Sequence, residues 1–457
     1  MLSNCCAVIL AAGAGKRLKS KKPKALAEVL FKPMVQWVVD AVRSCEIEDI
    51  CIVTGHGAEY IEDYFGDTVE YARQTEQLGT GHAVMAASEF IKKHSGSDVL
   101  IMYGDAPFIS KDTIEGMYNA HKEAGCTCTL LSAVLDNPFG YGRIFKNNGK
   151  FEKIVEERDC TAEQKLIKES NVGMYWADAD RLLFGLSKIT PNNAQHEYYL
   201  TDLPMVLAQS GDNVDSYPIG DNDETASAND RVQLHQLNKS AAKREIMRVL
   251  NNGVSVMDES GIIISPDANI GRDTLILPGT VIKGKVTIGE DCVIGPNAYI
   301  EDSVVGNGVK VNSSQIYCAK VGDGTRIGPF AYIRPDSVIG ENVKIGDFVE
   351  IKNSTIGART SVSHLTYIGD SDVGEHVNFG CGTVTCNYDG LKKHRTVIGN
   401  DAFIGCNTNL VAPVTVGDGA YTAAGTTVTD DVPEGSLAIG RSRQTNKAGW
   451  AEGKIKK

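Results

Sequence analysis

A glycine-rich turn and two nearby cations are the first chemistry the chain offers. Leu10, Ala11, Ala12, Gly13, Ala14, Gly15, Lys16, Arg17 and Leu18 include the end of an apolar run, residues 5–10, whose composition predicts a buried strand. Glycines at the C-terminal end of a strand let backbone N–H groups close on an anion. Arg17 and, after Pro23, Lys24 add two permanent positive charges, so the pattern predicts a polyphosphate site rather than a bare turn. It has neither the spacing of a Walker loop nor the third glycine of a dinucleotide fingerprint. Tyr103-Gly104-Asp105 closes another predicted strand, residues 99–103. A carboxylate placed there beside phosphates is a natural Mg²⁺ ligand, because Mg²⁺ takes one or two carboxylates plus phosphate oxygens. The competing reading of Asp105 is a cap on the turn toward Pro107. Gln74 and Gly79-Thr80-Gly81 offer amide, hydroxyl and backbone donors suited to a nucleobase edge, or else simply start a helix. Much later, SVSHLTYIGD sets His364 and Tyr367 between two aliphatic positions, Val362 and Ile368. An imidazole there is either a solvated surface group or a general base.

Two kinds of element must position these groups. Residues 5–10, 50–54, 69–72 and 99–103 read as strands, with helix-length amphipathic segments at 34–45, 81–93 and 112–125. That alternation predicts βαβ units and a largely parallel sheet, with ligands at the C-terminal ends of its strands. Residues 229–250 form a polar run without glycine or proline. Val232, Leu237, Ala241 and Ile246 would pack a linker helix along one stripe. The grammar then changes. Ile270, Ile276, Ile282, Ile288, Ile294 and Ile300 are each six residues apart. Further runs of the same period start at Val321, Ile356 and Ile398. A period of six suits a parallel β-helix with one inward aliphatic per hexad and Gly, Asn or Asp at the corners. The stretch 386–396 breaks the repeat and is polar and basic, so it should project as a loop.

The chain has 457 residues, 46 Lys+Arg and 58 Asp+Glu, for a net charge of −12, which argues against non-specific nucleic-acid binding. Its longest apolar run is far too short to span a bilayer. Twelve cysteines with no CxxC do not form a zinc or disulfide pattern, so a reduced, cytoplasmic protein is expected, without a membrane or nucleic-acid partner.

Taken in order, LxxGxGxR…PK, QLGTGHA, YGDAP, GYGRI, IVEE and EYYLTD resemble the sugar-nucleotide pyrophosphorylases. Joined to a hexapeptide-repeat half, the whole chain resembles the bacterial bifunctional enzymes that make UDP-N-acetylglucosamine. The resemblance implies an α/β chain in three parts. These are a Rossmann-like nucleotidyltransferase domain over 1–228, a linker helix over 229–250, and a left-handed β-helix acetyltransferase with a basic tail over 251–457. It implies that Leu10, Ala11, Ala12, Gly13, Lys24, Gln74, Gly79, Thr80, Tyr103, Gly104 and Asp105 bind the uridine nucleotide. Gly142, Glu156 and Asn171 would hold the amino sugar, Asp105 and Asn229 would ligate Mg²⁺, and Arg17 and Lys24 would neutralise developing charge. In the second half His364 would be the catalytic base, with Arg334, Lys352, Tyr367 and Asn378 on glucosamine 1-phosphate. Arg334 and Lys352 are three hexads apart, one coil of the family's prism, and should stack as a phosphate clamp. Cys381, Asn387, Tyr388, Cys406, Ala424 and Arg441 would contact acetyl-CoA. The family more commonly has Ala and Ser where Cys381 and Cys406 stand, and a thiol donates more weakly than a hydroxyl. UTP, acetyl-CoA and glucosamine 1-phosphate are the implied substrates, and a homotrimer the implied assembly. The competing readings are a nucleotidyltransferase whose β-helix is only a scaffold, and a non-enzymatic assembly protein that kept both folds.

Overall fold

The computed structural model describes residues 2, 4–13 and 15–452, with the backbone alone for Lys16. Ala14 of the glycine-rich loop and the end of the basic tail lie outside the described residues. The chain divides into two compact units, Met1–Ser240 and Ala241–Lys457.

The first unit is a mixed sheet with helices packed against it. Its strands are β1 (Cys5–Leu10), β2 (Ile50–Thr54), β3 (Glu70–Arg73), β4 (Asp98–Tyr103), β5 (Cys128–Val134), β6 (Arg143–Asn147), β7 (Lys150–Val155), β8 (Glu169–Asp178) and β9 (Val214–Pro218). The order is β9-β5-β8-β4-β1-β2-β3, with the hairpin β6–β7 joined to β8. β4, β1, β2 and β3 run parallel, as the alternation predicts. β8 is antiparallel to both β4 and β5, so the expectation of a largely parallel sheet needs correcting at its centre. β8 is buried along nearly its whole length, and a strand covered on both faces shows no alternation from which its direction could be read. The helix expected over 81–93 is two, Thr80–Ala86 and Ser88–Lys93. Ala87 N bonds Val84 O in a tighter turn and Ser88 Oγ bonds Met85 O, which breaks the regular ladder. The long helix is Arg231–Asn251. Leu237, Ala241 and Ile246 are buried as expected, but Val232 is exposed and Leu234 takes the buried position instead.

The second unit is a parallel, left-handed β-helix with three sheets of eleven, ten and nine short strands. Every strand pair within them is parallel and in register; for example Ile333 pairs with Ile351 and Ile351 with Ile368. The inward aliphatics of all four sequence runs are buried and form one continuous core. The glycine that so often follows them has a steric cause. A Cβ on Gly340 would stand 2.8 Å from Ala358 N, so only glycine lets that corner meet the next coil.

Candidate functional site

In the first unit the parallel pairing of β1 and β4 sets Leu10 beside Tyr103, so the two following loops leave the sheet together. Gly104 N bonds Leu10 O at 2.9 Å and Ala11 N bonds Val53 O at 2.9 Å, which fixes both backbones. A cavity of about 360 Å³ opens over them. It is lined by Leu10, Ala11, Ala12, Gly13, Lys24, Gln74, Gly79, Thr80, Tyr103, Gly104 and Asp105, every residue expected to meet the nucleotide. Gln74 is buried, and its Nε2 lies 3.0 Å from Gly79 O and 3.1 Å from His82 Nδ1. Its amide nitrogen therefore braces the Gly79 loop. Gly79 has φ +109°, and a Cβ there would come 2.6 Å from Tyr198 O, so this close approach requires glycine.

A second cavity of about 500 Å³ shares Thr80, Tyr103 and Asp105 with the first and adds Arg17, Gly142, Glu156, Asn171 and Asn229. Glu156 Oε1 accepts from Thr201 Oγ1 at 2.9 Å, and burial raises its pKa. Asn171 Nδ2 donates to Tyr175 OH at 2.8 Å, and Asn171 N donates to Gly142 O at 2.9 Å. Between Asn171 and Tyr175 the pairing of β8 with β5 slips in a bulge. Gly173 sits in that bulge at φ +86°, with the Tyr103 ring against its Cα. Burial also pushes the Tyr103 hydroxyl pKa up, with Glu156 adding to the effect.

Lys24 joins the two cavities. Its ammonium is ion-paired with Asp105 Oδ2 and lies 2.7 Å from Asn229 Oδ1. One carboxylate and one amide oxygen thus converge on a single cation. Among the described residues no group of three His, Cys, Asp or Glu side chains could hold a metal on its own. A hard divalent cation that draws most of its shell from water and phosphate fits this donor pair.

In the second unit His364 is exposed, with Nδ1 2.7 Å from Asp347 Oδ1. Hydrogen bonding from His364 holds the Asp347 carboxyl below its ordinary pKa. Arg334 N bonds Ile351 O at 2.8 Å, so Arg334 and Lys352 occupy equivalent places on adjacent coils. Each meets a carboxylate that the sequence reading missed: Arg334 with Glu350 at 2.8 Å, and Lys352 with Asp370 at 3.5 Å. Burial works to raise the Asp370 pKa, but hydrogen bonds from Asn353 and Asn387 and the Lys352 charge outweigh it, leaving the group below its ordinary range. Asn387 also reaches Tyr367 OH at 3.4 Å, tying the projecting loop to the expected sugar-phosphate residues. Lys393 of that loop is a further residue missed, since the sequence marked the loop only as basic. It lies beside Lys352, whose charge, with that of Arg334, lowers the Lys393 pKa.

Asn378 is exposed on the strand paired with Ser361–His364. Tyr388 is exposed, and its OH donates to Gly390 O at 2.7 Å. Cys381, Cys406 and Ala424 follow one another on a corner of successive coils. Asn407 N bonds Cys381 O and Gly425 N bonds Cys406 O, both at 2.8 Å. Arg441 lies over Gly425, the next coil along.

Residues 7–149 match the model for the MobA-like NTP transferase domain, and 267–302, 318–353 and 395–430 match that for bacterial transferase hexapeptide (six repeats). Over 451 residues the chain is 51% identical to the "Bifunctional protein GlmU" of Caldanaerobacter subterraneus subsp. tengcongensis and 50% identical to that of Clostridium acetobutylicum. Each alignment covers 98% of both chains. It is 48% identical over 447 residues to the same-named protein of Geobacillus sp., covering 98% of this chain and 97% of that one.

Proposed function

The chain belongs to the bifunctional GlmU family, and from that membership we propose how its two units divide the two transfers that make UDP-N-acetylglucosamine. The protein is a uridyltransferase in its first unit and an acetyltransferase in its second. The β-helix unit moves an acetyl group from acetyl-CoA to glucosamine 1-phosphate. The first unit then joins the N-acetylglucosamine 1-phosphate to UMP from UTP and releases pyrophosphate.

For uridylyl transfer, the backbone of residues 10–13 with Lys24 and Arg17 holds the triphosphate, and the loop braced by Gln74 receives the base. Gly142, Glu156 and Asn171 hold the amino sugar so that its phosphate oxygen faces the α-phosphorus. Asp105 and Asn229 would hold Mg²⁺, which when bound supplies charge neutralisation to phosphate oxygens. The residues align two anions and offset their charge, and no covalent intermediate is needed. The observation that carries this reading is the meeting of Lys24, Asp105 and Asn229 where the two cavities join.

For acetyl transfer, His364 Nε2 takes a proton from the substrate ammonium while Asp347 holds Nδ1. Arg334, Lys352 and Lys393 bind the phosphate, with Tyr367 and Asn378 beside the sugar. Asn387, Tyr388, Cys381, Cys406, Ala424 and Arg441 bind acetyl-CoA. A homotrimer is favoured by a ridge of exposed apolar side chains on one corner, where Phe330 stacks on Phe348 at 5.6 Å with Leu365 beyond them. Among the described residues no helix is long and apolar enough to cross a membrane, and the free cysteines agree with a reducing cytoplasm.

The test follows CoA thiol and pyrophosphate separately, with glucosamine 1-phosphate, acetyl-CoA, UTP and Mg²⁺ supplied. Both products are expected, and His364→Ala should release pyrophosphate only when N-acetylglucosamine 1-phosphate is given. Pyrophosphate without any CoA release in the unmutated protein would reduce the β-helix to a scaffold.

A further inference from the structure

At the wall of the first cavity, one amide is held so that only one of its two ends can face a ligand. Gln74 lines that cavity and is 4% exposed. Its backbone is fixed where Gln74 N donates to Thr54 O at 2.8 Å. The ends of the side-chain amide differ in sign, since the nitrogen carries two donors and the oxygen only accepts. Nε2 lies 3.0 Å from Gly79 O and 3.1 Å from His82 Nδ1. Gly79 O is a carbonyl oxygen that also accepts from Ala83 N at 3.1 Å. An amide turned the other way would set two oxygens against each other, so the nitrogen must face that side. One hydrogen goes to Gly79 O and the other to His82 Nδ1, and both donors are used. Oε1 accepts from no described residue, and it is not sealed in the interior either, so it is the end left open to the cavity.

His82 is the anchor that the site as described leaves unused. It lines neither cavity of this unit. An amide nitrogen only donates, so Nδ1 is the bare nitrogen of the ring and the proton sits on Nε2. The surroundings hold the ring in place for this contact. Tyr198 O accepts from Gly81 N and Tyr198 N donates to Leu78 O, each at 2.7 Å, and the Tyr198 ring lies 6.3 Å from the imidazole.

We propose that His82 is a positioning residue that makes the base site select uracil over cytosine, by holding Gln74 with its oxygen toward the base. Uracil joined to ribose through N1 has a single ring donor, N3–H, so an acceptor that serves this base serves that group. Cytosine has the same size and shape but a bare N3, and in the same place it would set a lone pair against Oε1. A site built to hydrogen-bond one group rejects the analogue lacking it, because a buried polar atom is then left unpaired. Without the acceptor at His82 Nδ1 one of the two anchors is gone, the amide turns more easily, and the rejection of cytosine weakens.

This proposal rests on the uridyltransferase reading, and the experiment separates the two. Pyrophosphate release from N-acetylglucosamine 1-phosphate and Mg²⁺ is followed with UTP and with CTP, and kcat/KM is compared between the nucleotides on one preparation of the full chain. A loss of folded protein lowers both rates alike and leaves their ratio unmoved. The unmutated chain should prefer UTP at least about 10-fold. His82→Leu should cut that preference about 10-fold, while His82→Asn, whose Oδ1 can stand where Nδ1 stood, should keep it within about threefold. Where His82→Leu gives no transfer with either nucleotide, the same ratio is read from His82→Phe. A preference unchanged without the acceptor overturns the proposal, and so does an equal loss in His82→Asn. Equal use of UTP and CTP by the unmutated chain overturns it too, and leaves the uridyltransferase reading intact. Absence of pyrophosphate release with UTP in the unmutated chain overturns both.

Discussion

Gly173→Ala is the substitution whose effect the geometry fixes most tightly. A Cβ at that position would lie 2.1 Å from Cε2 and 2.5 Å from Cδ2 of Tyr103. Ordinary carbon–carbon contact is about 3.5 Å, so the ring must retreat by about 1.4 Å. Alanine must also adopt φ near +86°, which costs an L-residue about 1–2 kcal/mol. Tyr103 lines both cavities of the first unit, so its retreat enters the space expected to hold the sugar and the nucleotide. A displacement of about 1 Å near a reacting centre can cost about 100-fold in rate. Pyrophosphate release from UTP and N-acetylglucosamine 1-phosphate should therefore fall about 100-fold. CoA release from acetyl-CoA and glucosamine 1-phosphate should stay within about twofold, because Gly173 belongs to the other unit. Both are read on the same preparation, with circular dichroism to confirm the fold. Uridylyl transfer at the unmutated rate would show that the ring does not help shape the working site, and the reasoning would fail.

Lys24→Met keeps the length of the side chain and removes the charge between Asp105 and Asn229. Pyrophosphate release should drop at least 100-fold with acetyl transfer unchanged, and a drop below about threefold would remove Lys24 from the machinery. Asp347→Asn keeps a hydrogen-bonding side chain but loses the charge behind His364. The kcat of acetyl transfer should fall about 10-fold or more with the KM for glucosamine 1-phosphate little changed, because the imidazole loses the carboxylate that orients it; an unchanged kcat would reduce Asp347 to a structural contact. Burial raises the Asp202 pKa to about 6, with Asp159 adding to it. The folded state therefore holds that proton more tightly than the unfolded chain, whose Asp titrates near 3.9. Its stabilising contribution is complete below about pH 4 and lost as pH rises through 6. Asp202→Asn should raise the unfolding temperature at pH 7.5 and leave it nearly unchanged at pH 4, as differential scanning fluorimetry would show; a pH-independent shift would refute the assignment.

The sequence made the β-helix legible because one inward aliphatic per hexad is a local rule repeated along half the chain. It located the first cavity for a related reason. Residues 10–13 and 103–105 each terminate a strand whose apolar run is readable, and parallel strands bring their ends together. What stayed hidden depends on which residue falls over which. Arg334 and Lys352 are stacked by a coil of 18 residues, as Ile333 opposite Ile351 shows. Asp347 faces His364 across a coil of 17, as Ile345 opposite Val362 shows. The shorter coil comes from the step of five between Ile351 and Ile356, where one six-residue run gives way to the next; counting 17 back from His364 reaches Asp347, a count the hexad reading did not make. Gly173 was invisible for another reason. Its requirement comes from Tyr103, which is remote in sequence and reaches it only through the antiparallel insertion of β8.

In both units a cation expected to meet phosphate already touches a carboxylate, Lys24 in the first and Arg334 and Lys352 in the second. Lys24 is mostly buried, and an unpaired ammonium there would carry a large desolvation cost. Asp105 offsets that cost while the phosphate is away, and the pairing also holds the long lysine side chain in one place. The same carboxylate is the expected metal ligand. Phosphate arriving on Lys24 together with a divalent ion on Asp105 would give each charge a new partner at once, and neither would be left bare in the exchange. In the β-helix unit the pairing serves position more than solvation, because Arg334 and Glu350 are both about one-third exposed and water already screens them. Asp370 is the exception, at 5% exposure, and it is hydrogen-bonded by both Asn353 and Asn387. It therefore stays charged and fixed whether or not Lys352 remains on it. This lets Lys352 turn toward a substrate phosphate without leaving a buried charge unpaired behind it.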